Sequence, residues 1–186
     1  MDVRAKDIRL GSANLTLGGA GSIVADEEFS VNDFYYRGYS SGTLDIRAAR
    51  QAGTIASLGT YDGDLTFTIA EGDFRAGYVN IESGIFTLEA QTGSLLVDTV
   101  HAIYTAGIYD IELRAGLDIG SSEAPLKFVV TKPWTPNSCT ENFIWSRDLY
   151  LDYDRTGGDP LTLNKQGAGN VYLTVRGRGV DITQAG

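Results

Sequence analysis

The sequence predicts an all-β protein, a parallel β-helix, and three observations carry that prediction. First, one short pattern recurs four times between Gly42 and Phe128, in 43–53, 64–72, 85–93 and 108–116. Leu44, Leu65, Phe86 and Tyr109 fall in one column, and Ile46, Phe67, Leu88 and Ile111 in the next. The third column is Ala48, Ile69, Ala90 and Leu113, and the offsets between copies are 21, 21 and 23 residues. A fixed period near 20 residues marks a solenoid, in which each unit buries its apolar face only by stacking on its neighbours. Second, apolar and polar residues alternate within each copy, whereas an amphipathic helix would need spacings of three and four. Third, glycine supplies 23 of 186 residues. Many of these glycines end alternating segments, where tight corners require positive φ.

Taken in order, residues 2–25 read as the first coil. Asp7–Leu10, Asn14–Leu17 and Ser22–Ala25 alternate and are separated by Gly11 and by Gly18, Gly19 and Gly21. Residues 26–42 then break the pattern, acidic first and aromatic after, and read as an excursion from the solenoid body. The four repeats follow. Each has an alternating strand, a glycine corner and a second half such as Tyr78–Ile81 or Leu95–Val100, which suits a three-strand coil. Residues 131–147, with two prolines and two tryptophans, do not repeat and read as a second excursion. Alternation resumes at Leu149, Leu151 and Tyr153 and continues to Val180 and Ile182. The whole chain, 1–186, is expected to be a single β-solenoid domain of about six or seven coils, some 30 Å long at the stacking repeat of a sheet. Neither end shows a polar capping element, so the chain is expected to continue a longer rod or to join end to end.

Residues 117–128 carry a resemblance. Ile119-Gly120-Ser121, three further residues, then Pro125-Leu126 and a strand resembles a pattern of large secreted bacterial adhesins. The stretch from Gly42 to Val130 looks like the β-helical shaft of filamentous-haemagglutinin-type, two-partner-secreted exoproteins. That resemblance implies a right-handed parallel β-helix, export to the surface or medium, and a role in adhesion or fibre formation. The family's N-terminal secretion domain is not recognisable in this sequence.

Composition narrows the function classes. The net charge of −9, with 24 acidic against 15 basic residues, disfavours nucleic acid and other polyanions as partners. One Cys (Cys139) and one His (His101) offer too few ligands for zinc or iron–sulfur chemistry. No run approaches the roughly 20 apolar residues of a membrane helix, so membrane insertion is not expected. No apolar stretch follows Met1, so no signal peptide is read there; a cytosolic protein, a fragment and a processed form all fit.

No cofactor or metal is expected, and catalysis has little to stand on. Asp62 and Asp64 flank Gly63, and Asp152, Asp154 and Asp159 cluster, as carboxylates do on solvated faces and turns. Asp152–Gly157 resembles the start of a calcium loop, but Leu163 stands where the bidentate Glu belongs. His101 has no Ser or Cys partner in its column, Cys139 lies in an irregular stretch, and the glycines of 18–21 precede no helix. The stretch most suited to contact is Phe34-Tyr35-Tyr36-Arg37-Gly38-Tyr39. Tyr35, Tyr36 and Tyr39, with Trp134 and Trp145, are the candidate contact residues for a glycan or a protein surface. The leading expectation is a non-enzymatic structural or adhesive segment of an extracellular or cell-surface fibre. A β-helical polysaccharide lyase or hydrolase and a carbohydrate-binding module are the alternatives.

Overall fold

A computed structural model describes residues 1–39, 42–82, 84–103, 109–131, 141–156, 161–177 and 180–185. The described residues contain fifteen strands and no helix. They are β1 (Asp2–Leu17), β2 (Ala20–Gly38), β3 (Thr43–Gln51), β4 (Ile55–Tyr61), β5 (Asp64–Ile69), β6 (Phe74–Ile81), β7 (Gly84–Ala90) and β8 (Leu95–Ile103). After them come β9 (Tyr109–Ala115), β10 (Leu126–Thr131), β11 (Glu141–Trp145), β12 (Leu149–Thr156), β13 (Leu161–Gln166), β14 (Val171–Gly177) and β15 (Val180–Ala185).

Among the described residues all pairings are parallel, and the strands form one sheet wound into a β-solenoid of about seven turns. The odd strands from β3 to β15 stack as one wall, and the even strands from β4 to β14 as the other. β2 crosses both walls, pairing with β3 through its first half and with β4 through its second. The expected columns are real for three copies: Leu44, Leu65 and Phe86 pair in register, as do Ile46, Phe67 and Leu88, and all six are buried. Between the walls the rings interlock. Phe67 meets Phe29 edge-on at 5.2 Å and Phe74 at 5.1 Å.

Four expectations require correction. The fourth copy sits two residues further along: Phe86 pairs with Ile111, Leu88 with Leu113 and Ala90 with Ala115, an offset of 25 rather than 23. The corner explains the slip. Gly116 N donates to Ala90 O, and a Cβ at Gly116 would run into the Gln91 backbone, so only glycine fits above that position. Residues 2–25 are not three short strands, because Gly11 lies within the continuous β1 and only the Gly18–Gly19 corner interrupts the backbone.

Residues 26–38 are no excursion. They are part of β2 and bury Phe29, Val31, Phe34 and Tyr36. The alternation is disguised twice. Pairing slips between Ala25 and Glu28, where Asp26, Glu27 and Glu28 meet Arg4, Lys6 and Arg9 of β1 at 2.8, 3.2 and 3.5 Å. Asn32 and Asp33 then both face outward before Phe34 turns in. The same outward doublet recurs as Ala56–Ser57 in β4 and Gly77–Tyr78 in β6. It divides these strands into two short faces, so their coils have three faces built from two strands. In the second expected excursion, residues 132–140, including Trp134 and Cys139, lie outside the described residues. Glu141–Trp145 belongs to the shaft as β11.

At the return corner, Gly84 has φ +91°, and a Cβ there would run into the Gly63 carbonyl one coil below. That close approach of backbones demands glycine.

Candidate functional site

The sequence-predicted tyrosines separate by parity. Tyr36 points inward and is fully buried, so it forms no part of the exposed surface. Tyr35 and Tyr39 lie on the outer surface of the second wall, Tyr35 half-buried and Tyr39 exposed. The register places Ser12, Asn14 and Thr16 of β1 beside Asp33, Tyr35 and Arg37 of β2. It places those in turn beside Ser57, Gly59 and Tyr61 of β4. Further up the same face come Tyr78 and Asn80 of β6, then Thr99 and His101 of β8.

Two local arrangements give this face its character. The Arg37 guanidinium sits 4.9 Å from the Tyr39 ring and 4.7 Å from the Tyr61 ring, a cation held between two π-faces. The Tyr35 ring fills the space that a side chain at 59 would occupy: a Cβ on Gly59 would lie 2.6 Å from Cδ2. Burial pushes the Tyr35 hydroxyl above its ordinary pKa, with Glu82 adding to the effect. Sequence reasoning found Tyr35 and Tyr39, in a stretch that includes Arg37, but missed Tyr61, Asn14, Asp33 and Ser57. The usable signal was the coil offset, since Arg37 and Tyr61 are 24 residues apart and pair in register.

His101 Nδ1 and the Tyr78 hydroxyl are 2.6 Å apart, an imidazole–phenol hydrogen bond along the ladder. Burial lowers the His101 pKa, and Glu82 opposes it. A folded-state pKa below that of the unfolded chain means that the unfolded chain binds more protons as pH falls through about 6.5. Stability from this site is therefore present above that pH and is lost below it, down to the folded value. Thermal melts at pH 7.5 and 5.5 are expected to show a larger Tm drop for the wild type than for His101→Gln. Because the ring is only half-buried, the difference should stay below about 2–4 °C, the shift that 1 kcal/mol gives at this chain length. Equal drops would remove His101 from the acid response.

The remaining candidates lie elsewhere along the chain. Trp145 lies outward on β11 beneath the Arg114 guanidinium, 4.6 Å from its ring, and Arg114 also pairs with Glu112 at 2.6 Å. Asp62 takes the corner with φ +52°, and the Asp64 carboxylate accepts the Ile85 amide at 2.9 Å. Asp152 pairs with Arg176 at 3.0 Å, while Asp154 stays on the outer face and Asp159 lies outside the described residues. The Arg147 guanidinium, hydrogen-bonded to Asp118 at 2.7 and 3.0 Å, holds that carboxyl below the usual range. Among the described residues no group of three or more His, Cys, Asp or Glu could hold a metal ion. Tyr150 and Tyr172, which the sequence reading did not single out, stack in parallel with centroids 4.5 Å apart.

Family models, curated proteins and solved structures give no match to this chain.

Proposed function

We propose that this chain is a structural and adhesive segment of a secreted or cell-surface fibre, with its shaft extended by stacking and its second-wall outer face making contacts. One observation supports stacking above the others. Among the described residues, β1 pairs with β2 alone and no strand lies against its other edge. Val3 and Leu10 of β1 are 41% and 37% exposed, whereas their register partners Ile23 and Val31 one coil up are 6% and 4% exposed. The columns are identical, so the missing burial is that of one more layer. Both are already more than half covered, so the remaining burial is worth about 1 kcal/mol each, and the open backbone edge adds hydrogen bonds. A further coil supplies both, whether from a longer rod or from a second copy, and the second copy is the source put to the test.

The test is assembly at rising concentration. Sedimentation and negative-stain electron microscopy are expected to show rods longer than one chain for the wild type. The double variant Val3→Lys/Leu10→Lys is expected to remain single, with unchanged circular dichroism. Wild-type particles that stay single at hundreds of micromolar would sink the stacking reading. The outer face, with its tyrosines, hydroxyls and amides, favours a neutral, hydroxyl-bearing surface over a polyanion, because a net charge of −9 repels the latter.

A further inference from the structure

We propose that the cleft shared by β1, β2 and β4 binds one neutral pyranose ring, with Tyr35 as its apolar platform and Asp33, Asn14 and Ser57 as its hydrogen-bonding groups. The cleft measures about 210 Å³ and is bounded by these residues together with Ser12. Pockets for drug-sized ligands run to about 300–1,000 Å³, so this volume suits a single ring rather than a stretch of polymer. Because the cleft opens on the side of the shaft, it spans three successive coils, and stacking at the ends does not cover it.

The chemistry of the lining selects a sugar. A pyranose has one or two C–H-rich faces and a rim of hydroxyls that each donate and accept. Tyr35 supplies an aromatic surface for the first, held in place because its ring rests where Gly59 lacks a side chain. Asp33 supplies the second. Its Oδ2 accepts from Ser12 Oγ at 3.0 Å and from Asn32 Nδ2 at 2.7 Å, which fixes the carboxylate's orientation. A carboxylate has about four lone-pair sites, so Oδ1 remains able to accept from a pair of neighbouring hydroxyls. The Asn14 amide and the Ser57 hydroxyl make no hydrogen bond within the protein among the described residues, and both flank the same opening. The Asp33 carboxylate and the overall charge repel a uronate or sialic acid, so the ring is neutral. Further along the same face, Arg37 lies between the Tyr39 and Tyr61 rings.

The inference rests on reading this face as the contact surface, not on stacking of the shaft ends. The probes are the methyl glycosides of glucose, galactose and mannose, with galacturonate as the anionic control. Saturation-transfer NMR on the full chain should show transfer from at least one neutral glycoside. The affinity should be millimolar, as fits a ligand of about a dozen non-hydrogen atoms. Tyr35→Ala and Asp33→Asn should each weaken it at least about tenfold, the equivalent of one strong contact. Gly59→Ala should do the same by displacing the ring without deleting it. Arg114→Ala, on the other wall, should bind as the wild type does, and so should Val3→Lys/Leu10→Lys, which separates this site from stacking. No transfer from any neutral glycoside, undiminished transfer in both Tyr35→Ala and Asp33→Asn, or galacturonate binding as tight as the best neutral sugar would each overturn the proposal.

Discussion

Phe67→Ala is expected to destabilise the shaft by about 3–5 kcal/mol, the usual cost of removing a fully buried phenylalanine. Phe67 has no exposed surface and sits mid-column between Ile46 and Leu88. It packs between Phe29 of β2 and Phe74 of the second wall, meeting both rings near 90°. Such edge contacts add about 0.5–1.5 kcal/mol per pair beyond burial. Relaxation offers little relief, because the coils are held at the fixed hydrogen-bonding separation of sheet strands and cannot close over a missing ring. At about 2–4 °C per kcal/mol for a chain of this length, the Tm should fall by about 6–20 °C. Ile85→Ala serves as the control. Ile85 is 44% exposed on the outside of the same wall, and surface changes of this kind usually stay within about 0.5 kcal/mol. Urea melts of both variants give the comparison, and a loss under 1 kcal/mol for Phe67→Ala would mean that the ring is not the keystone its geometry implies.

The columns around Phe67 were legible because strand periodicity and coil period reinforce one another. Leu44, Leu65 and Phe86 could be aligned by hand, and the pairing agrees. The fourth copy was misplaced by two residues because a shift of two keeps every side chain on its own side of the sheet. Only the corner breaks that tie, through the backbone contact of Gly116 with Gln91. The stretch 26–38 was misread for a related reason. Two outward residues in succession, Asn32 and Asp33, reverse the parity of everything after them, so Tyr36 reads as exposed when it is core. The candidate cleft draws on three coils, and its members Asn14, Asp33 and Ser57 are 19 and 24 residues apart. No local window contains them. They become neighbours only when the register is known.

Lys165 carries the same lesson into a second prediction of large effect. It looks like an ordinary polar strand residue, yet it pairs with Ile144 in the column that holds Ile46, Phe67, Leu88 and Leu113, and it is fully buried. Its ammonium donates to the carbonyls of Ser146 at 2.9 Å, Gln166 at 3.2 Å and Gly167 at 2.7 Å, so it ties the corner of its own coil to the one before. Lys165→Glu turns that donor into a buried acceptor facing three carbonyls, a change that should cost about 3–5 kcal/mol, as for an uncompensated buried charge. In a solenoid each coil contacts only its neighbours, so the damage should be local. Hydrogen exchange is expected to show lost protection in β11 to β14 while β3 to β7 keep theirs. Uniform loss, or none, would contradict the assigned role. Burial lowers the Lys165 pKa from 10.5, with Asp148 opposing. Between the depressed folded value and 10.5 the unfolded chain binds more protons, so stability rises with pH across that window. Buried tyrosines such as Tyr36, whose pKa is raised by burial, act in the opposite sense above about pH 10. Lys165→Leu continues the apolar column and removes the lysine's contribution alone. The difference between its pH–stability curve and that of the wild type should therefore be a rise toward alkaline pH that only the wild type shows.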